Sequence, residues 1–159
     1  MSSSLMGPPR PPTHKAGDLA KLMSHGIDLE AYAQDGFLSH DALERFASDE
    51  GIALKEAYAA AAYNPSLRFE LREDVQLVVC VGACQQWGAM DVVDHLISEK
   101  ERRGAADLPS YDIMTRSCLN ACDHAPMVAL QSVDGATGLT RATKESVNEA
   151  LRSILDDEA

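Results

Sequence analysis

Aromatic side chains, basic charge and long apolar runs are all scarce in this chain. Phe, Trp and Tyr make up 5% of its 159 residues, with a single Trp, so a core must rest on Leu, Val, Ile, Ala and Met. Lys and Arg number 14 against 25 Asp and Glu, a formal net charge of −11. That balance argues against nucleic acid and anionic membrane as partners, because binding a polyanion calls for a Lys/Arg surface. It suits solubility, or docking to a basic partner in a salt-dependent way. No stretch approaches the roughly 18 consecutive apolar residues of a bilayer span. Residues 1–15 lack the apolar segment of a secretory signal. The expected location is therefore cytoplasmic, or the mitochondrial matrix if a presequence has been removed. Also missing are a Walker loop, a Gly-rich dinucleotide fingerprint and any acid/base or nucleophile constellation. The chain is not expected to bind NAD or flavin by itself, and no residue is nominated as catalytic.

The 45% of apolar residues is the level of a globular chain. Residues 1–16 (MSSSLMGPPRPPTHKA) are rich in Ser, Pro and Gly without periodicity and read as a flexible tail. Weak helical signals over 18–34 are broken by Gly26. A clearer helix follows, capped by Ser39, with Asp41 in its first turn, apolar positions at Ala42, Leu43, Phe46 and Ala47, and a stop at Gly51. The alanine-rich stretch 54–63 forms a second helix ended by Asn64-Pro65, completing an αα-hairpin.

Beyond Arg68 the pattern changes. The β-branched run 76–81 reads as a buried strand. A helix is expected over 86–103, with Met90, Val93 and Ile97 on one face, a solvated charged end at Glu99–Arg103, and Gly104 closing it. Strands are expected over 111–116 and 127–131, with a hairpin turn at Asp134-Gly135 before a short fourth strand. A last helix over 143–155 carries Val147, Leu151, Ile154 and Leu155 on one stripe. The order β-α-β-β-β-α after a helical hairpin describes an α/β, thioredoxin-like domain.

Cysteine is scarce too, but it is ordered. The four cysteines form two pairs, Cys80–Cys84 at the end of the first expected strand and Cys118–Cys122 after the second. In a chain without secretory features such pairing points to metal or redox chemistry before structural disulfides. If the two strands lie side by side in one sheet, both loops converge and four thiolates can hold Fe–S or zinc. The intervening residues, Val81-Gly82-Ala83 and Leu119-Asn120-Ala121, are compact enough for backbone N–H groups to approach a cluster. Zinc knuckles and redox dithiols usually have two intervening residues rather than three, which weighs against both; Fe–S, zinc and disulfides all stay open on spacing alone, and the Fe–S reading draws its strength from the resemblance that follows.

Cys118-Leu-Asn-Ala-Cys122-Asp-His-Ala-Pro126 resembles the Cys-Leu-Gly-x-Cys-x-x-Ala-Pro segment of the thioredoxin-like [2Fe–2S] subunits of NADH:quinone oxidoreductase (complex I, the 24-kDa or E subunit). Counterparts of that family occur in NAD-linked hydrogenases and as the gamma subunit of NAD-dependent formate dehydrogenases. Cys84-Gln-Gln-Trp-Gly88-Ala89 resembles the family's Cys-x-x-x-Gly-Ala, and Gly36 to Ser39, Gly51-Ile52 and Tyr58 resemble its helical hairpin. The likeness covers roughly 36–156. It departs in two places: the family's first pair is normally Cys-x4-Cys where this chain has three residues between, and Asn120 replaces a glycine.

The resemblance implies a thioredoxin-like [2Fe–2S] domain over 69–159 behind a helical region at 17–68. Cys80, Cys84, Cys118 and Cys122 would hold one [2Fe–2S] cluster. The implied function is one-electron transfer as a non-catalytic subunit of a multi-subunit NAD(H)-linked oxidoreductase, beside a flavin (FMN)-containing, NADH-binding subunit and further Fe–S subunits. A free-standing ferredoxin and a zinc-stabilised interaction module are the alternatives. His124 reads as a polar loop residue or a donor near the cluster, since four cysteines leave no need for a histidine ligand. Trp87 reads either as a docking residue or as a cover over the first helix's N-terminus. His95 reads as an ordinary helix residue, and Pro126 as shaping the turn that closes the second loop.

Overall fold

The computed structural model describes residues 12–14, 18–117 and 125–156. Helix α1 (Leu19–Asp28) starts at Asp18, whose side chain accepts from Lys21 N. Gly26, expected to break it, lies inside it. A Cβ there would stand 2.8 Å from the carbonyl oxygen of Ala60, so glycine is what lets α1 cross the later helix so closely. Asn64 Nδ2 seals the crossing by donating to Gly26 O at 2.8 Å. A 3₁₀ turn (Leu29–Tyr32) leads to the two-residue strand β1 (Phe37–Leu38). Helix α2 (His40–Glu50) is capped as expected by Ser39, which accepts from Ala42 N at 3.0 Å; it buries Ala42, Leu43, Phe46 and Ala47 and stops at Gly51, with φ of 68°. Helix α3 (Leu54–Ala61) is shorter than expected, the chain turning through Asn64. Strand β2 (Arg68–Phe69) pairs in parallel with β1, a pairing too short to leave a period in the sequence.

Strand β3 (Gln76–Cys80), helix α4 (Ala89–Ala105) and strand β4 (Asp112–Arg116) form a parallel βαβ unit. Strands β5 (Val128–Ser132) and β6 (Gly135–Leu139) complete a four-stranded sheet in the order β4-β3-β5-β6, with β5 antiparallel to both neighbours. Helix α5 (Lys144–Leu151) begins at Thr143 in a capping box with Ser146 and continues as a π-helical turn (Arg152–Asp156). Val147, Leu151 and Leu155 are buried as their stripe implied. Leu77 and Val79 are fully buried, and one core runs from α2 and α3 through the sheet to α5. Thr115 Oγ1 donates to Tyr58 O, tying β4 to α3.

Three local expectations need correction. Gly104 does not close α4; the helix runs to Ala105 and the chain turns at Asp107, whose φ is 56°, with Leu108 N donating back to Arg103 O. The hairpin turns on Val133-Asp134, because Gly135 already pairs with Ser132 as the first residue of β6. The end of α4 is not wholly solvated either. Arg103 is only 2% exposed, and its guanidinium reaches both carboxylate oxygens of Asp156 (3.0 and 3.1 Å), Pro109 O (3.0 Å) and Glu99 (3.3 Å). Position 103 falls on the core side of α4, and the π-helical turn after α5 supplies the carboxylate that makes burial tolerable.

His40 is partly buried, bonded at Nδ1 to Tyr58 and with Nε2 3.2 Å from Glu44. Burial first, then the charge of Lys100, pushes its pKa below the ordinary 6.5, while burial pushes the Tyr58 hydroxyl up. The neutral ring therefore accepts from Tyr58. Because the folded pKa is the lower one, the unfolded chain takes up a proton first as pH falls. This stability is fully present above pH 6.5 and is lost below it. Urea titrations across that range should show His40→Gln flattening the acid side of the profile.

Candidate metal centre

Strands β3 and β4 end together, Cys80 level with Arg116, because they run parallel and in register. Val81 N donates to Arg116 O at 2.8 Å, and Cys80 N donates to Met127 O at 3.2 Å. Cys80 closes β3, and Cys84 lies in the 3₁₀ turn Ala83–Trp87 that follows; each is 1% exposed. Hydrogen bonds from Gln85 N to Gly82 O and from Gly88 N to Gln85 O hold that turn, and Gly88, with φ of 95°, releases the chain into α4.

Gly82 is where the two cysteine loops meet. A Cβ on it would fall 1.9 Å from the carbonyl oxygen of Ser117, a distance no side chain can occupy. The Cys80 Sγ is 4.0 Å from that same oxygen. Cys118, Asn120, Cys122 and His124 lie outside the described residues, but both ends of their loop are placed. The chain enters it at Ser117 against Gly82 and leaves it through Ala125, Pro126 and Met127, the last bonded to Cys80 N. Ala125 and Pro126 are buried and joined by a cis peptide at the approach to β5. Two buried thiols beside the open ends of a loop that carries two more cysteines suit a four-thiolate group, and the Gly82 approach leaves the backbone of both loops close to it.

Several neighbours left no signal in the sequence. Tyr63, just past α3, donates its hydroxyl to Val81 O at 3.1 Å, and Gln85 Nε2 donates to the same oxygen at 2.5 Å. Burial, then the negative charge of Cys80, pushes the Tyr63 hydroxyl up from 10.0. Within the segment read as a tail, Thr13 N and His14 N both donate to Gln86 O, and the His14 ring lies over Gly88 and bonds Asp91 at 2.9 Å. Trp87 is half-buried against the core; its Nε1 is buried and has no hydrogen-bond partner among the described residues. His95 does more than fill its helix, since its Nε2 meets Asn148 Oδ1 at 2.8 Å and joins α4 to α5.

Compared with known families, the chain matches the model of the thioredoxin-like [2Fe-2S] ferredoxins over residues 23–155. It belongs to that family. A [2Fe–2S] cluster is the cofactor that goes with membership, and two buried cysteines four residues apart, Cys80 and Cys84, suit it. Among solved structures the chain is similar to the wild-type thioredoxin-like [2Fe-2S] ferredoxin from Aquifex aeolicus, at 22% identity and a TM-score of 0.45, over 54% of this chain and 88% of that one. The Cys55Ser variant of that ferredoxin aligns at 20% identity and 0.45 over 54% and 90%, and the Cys59Ser variant at 20% and 0.44 over 50% and 85%. No curated protein matches. Among the described residues no helix of this ferredoxin is long and apolar enough to cross a membrane.

Proposed function

We propose that this ferredoxin is the electron-transfer subunit of a multi-subunit NAD(H)-linked oxidoreductase and holds its [2Fe–2S] cluster through Cys80, Cys84, Cys118 and Cys122. The observation carrying the ligand set is that both ends of the 118–124 loop lie against the Cys80–Cys84 loop, at Gly82 and at Cys80 N. Such a cluster accepts and releases one electron at a time. The chain's own residues bury Cys80 and Cys84 from water and bring the backbone at Gly82 against that of Ser117, where the second cysteine loop begins. These are the features that tune such a centre.

Exposed apolar surface supports a partner. Leu19, Met23 and Ile27 stand 50–65% exposed at four-residue spacing on α1. A cleft of about 940 Å³, lined by Phe37, Phe69, Leu71 and Met114 among others, ends at Ser117, next to the second cysteine loop. These patches, more than the half-buried Trp87, are the surfaces on which a flavin-bearing subunit would be held, with the −11 charge steering a basic partner.

Anaerobically prepared protein should contain iron and acid-labile sulfide in the amounts one [2Fe–2S] cluster requires. Cys84→Ala, Cys118→Ala and Cys122→Ala should lose it, and so should Cys80→Ala, despite the short first spacing. Stoichiometric zinc in place of iron would sink the reading. Pull-down from the native source should recover a flavoprotein with NADH dehydrogenase activity. Recovery of the chain alone, exchanging electrons with several unrelated reductases, would make it a free-standing ferredoxin.

A further inference from the structure

Only three residues separate Cys80 and Cys84, so the backbone between them has little freedom in presenting both thiols. Several of its backbone groups are held by partners. Val81 N is bound to Arg116 O, Gly82 O accepts from Gln85 N, and Gly82 itself is pressed on Ser117. Val81 O would otherwise be left in a buried place, and an unpaired buried carbonyl is costly. It receives two side-chain donors: the Gln85 amide from the ligand turn, and the Tyr63 hydroxyl from the helical region, 18 residues back in the chain.

We propose that Tyr63 is a positioning residue of the cluster: with Gln85, its hydroxyl fixes the Val81 peptide so that three residues suffice to present both Cys80 and Cys84. This rests on the ligand reading above. Tyr63 touches no reacting atom; it acts through the Val81 carbonyl. Through that hydrogen bond the helical region reaches the ligand loop directly.

The test uses the full-length, cluster-loaded protein. Tyr63→Phe removes the hydroxyl and keeps the ring. It should bleach several-fold faster than wild type in the presence of an iron chelator, and the EPR spectrum of its reduced cluster and its visible circular dichroism should both change. Gln85→Leu should act in the same direction, and the double variant should exceed either. Tyr32→Phe, which removes a comparable hydroxyl bonded to Asp49 far from Val81, serves as the control and should leave spectra and bleaching unchanged. If Tyr63→Phe bleaches at the wild-type rate with the wild-type EPR spectrum, the inference is wrong. It is equally wrong if bleaching rises only in step with a loss of global stability while the spectra stay the same. Cys80→Ala separates the two levels: retention of a native spectrum there overturns the ligand assignment, whereas its loss beside an inert Tyr63→Phe overturns the positioning role alone.

Discussion

Gly82→Ala should give a protein that folds its helical region yet retains almost no cluster. The added methyl group would have to share space with the carbonyl oxygen of Ser117, 1.9 Å from its ideal position, and that oxygen belongs to backbone that cannot rotate away as a side chain would. Relief requires the two cysteine loops to part. That pulls Ser117, and with it the approach to Cys118, away from Cys80 and Cys84. A methyl forced into packed surroundings costs about 3 kcal/mol at the upper end of its usual range, and here the strain falls on the ligand loops. Iron and sulfide analysis, with visible absorption, measures the loss. Far-ultraviolet circular dichroism should stay near wild type, since α1 to α3 do not touch this contact. Full cluster occupancy in Gly82→Ala would mean that the loops can separate without harm, and the convergence argument for four thiolates would fail with it.

Arg103→Ala should be the most destabilising change away from the cluster. The side chain is buried to 2% and joins three partners: Pro109 O, Asp156 and Glu99. Its removal leaves a cavity between α4 and the end of α5 and strands the Pro109 carbonyl, with an expected loss of about 3 kcal/mol. Arg103→Lys keeps the charge but cannot make the two-pronged contact with Asp156, so it should fall between wild type and Ala. Urea unfolding measures both. Limited proteolysis should show the C-terminal turn released in Arg103→Ala, because the hydrogen bonds to Asp156 that hold it are then gone. The pair also binds pH dependence to this corner, for Arg103 first of all holds the Asp156 carboxyl below its ordinary 3.8. A depressed carboxylate pKa stabilises the fold above the unfolded value and loses that contribution in acid. This acid loss sets in below 3.8, whereas that of His40 sets in at 6.5, so the two onsets are separable by titration.

Local order was legible in the residues themselves wherever the signal was short-range. The Ser39 cap, the Ala42–Leu43–Phe46–Ala47 stripe, the Gly51 stop, the β-branched run that became β3 and the stripe of α5 are each written within a few neighbouring positions. The element order β-α-β-β-β-α followed from these, and so did the expectation that the cysteine pairs lie at or beyond the ends of two strands. Chemistry-bearing residue types at fixed spacing, two pairs of thiols, sufficed to nominate a metal centre. Its assignment as a [2Fe–2S] site then rested on the motif around Cys118 and Cys122, and the match of the family model over residues 23–155 agrees with it.

What only the tertiary structure decided is everything set by contacts between distant segments. Gly26 reads as a helix breaker until Ala60 is seen against it, since close approach of two helices leaves no trace in the sequence of either. Arg103 reads as solvated until Asp156, 53 residues later, folds back to neutralise it. Gly82 reads as one small loop residue until the backbone of Ser117 is pressed on it, and Tyr63 as a helix-end aromatic until its hydroxyl reaches Val81. Periodicity and capping record what a residue does with neighbours three or four positions away. Steric exclusion, charge neutralisation and carbonyl capping across the chain depend on where strands and helices finally cross, and no local pattern encodes that.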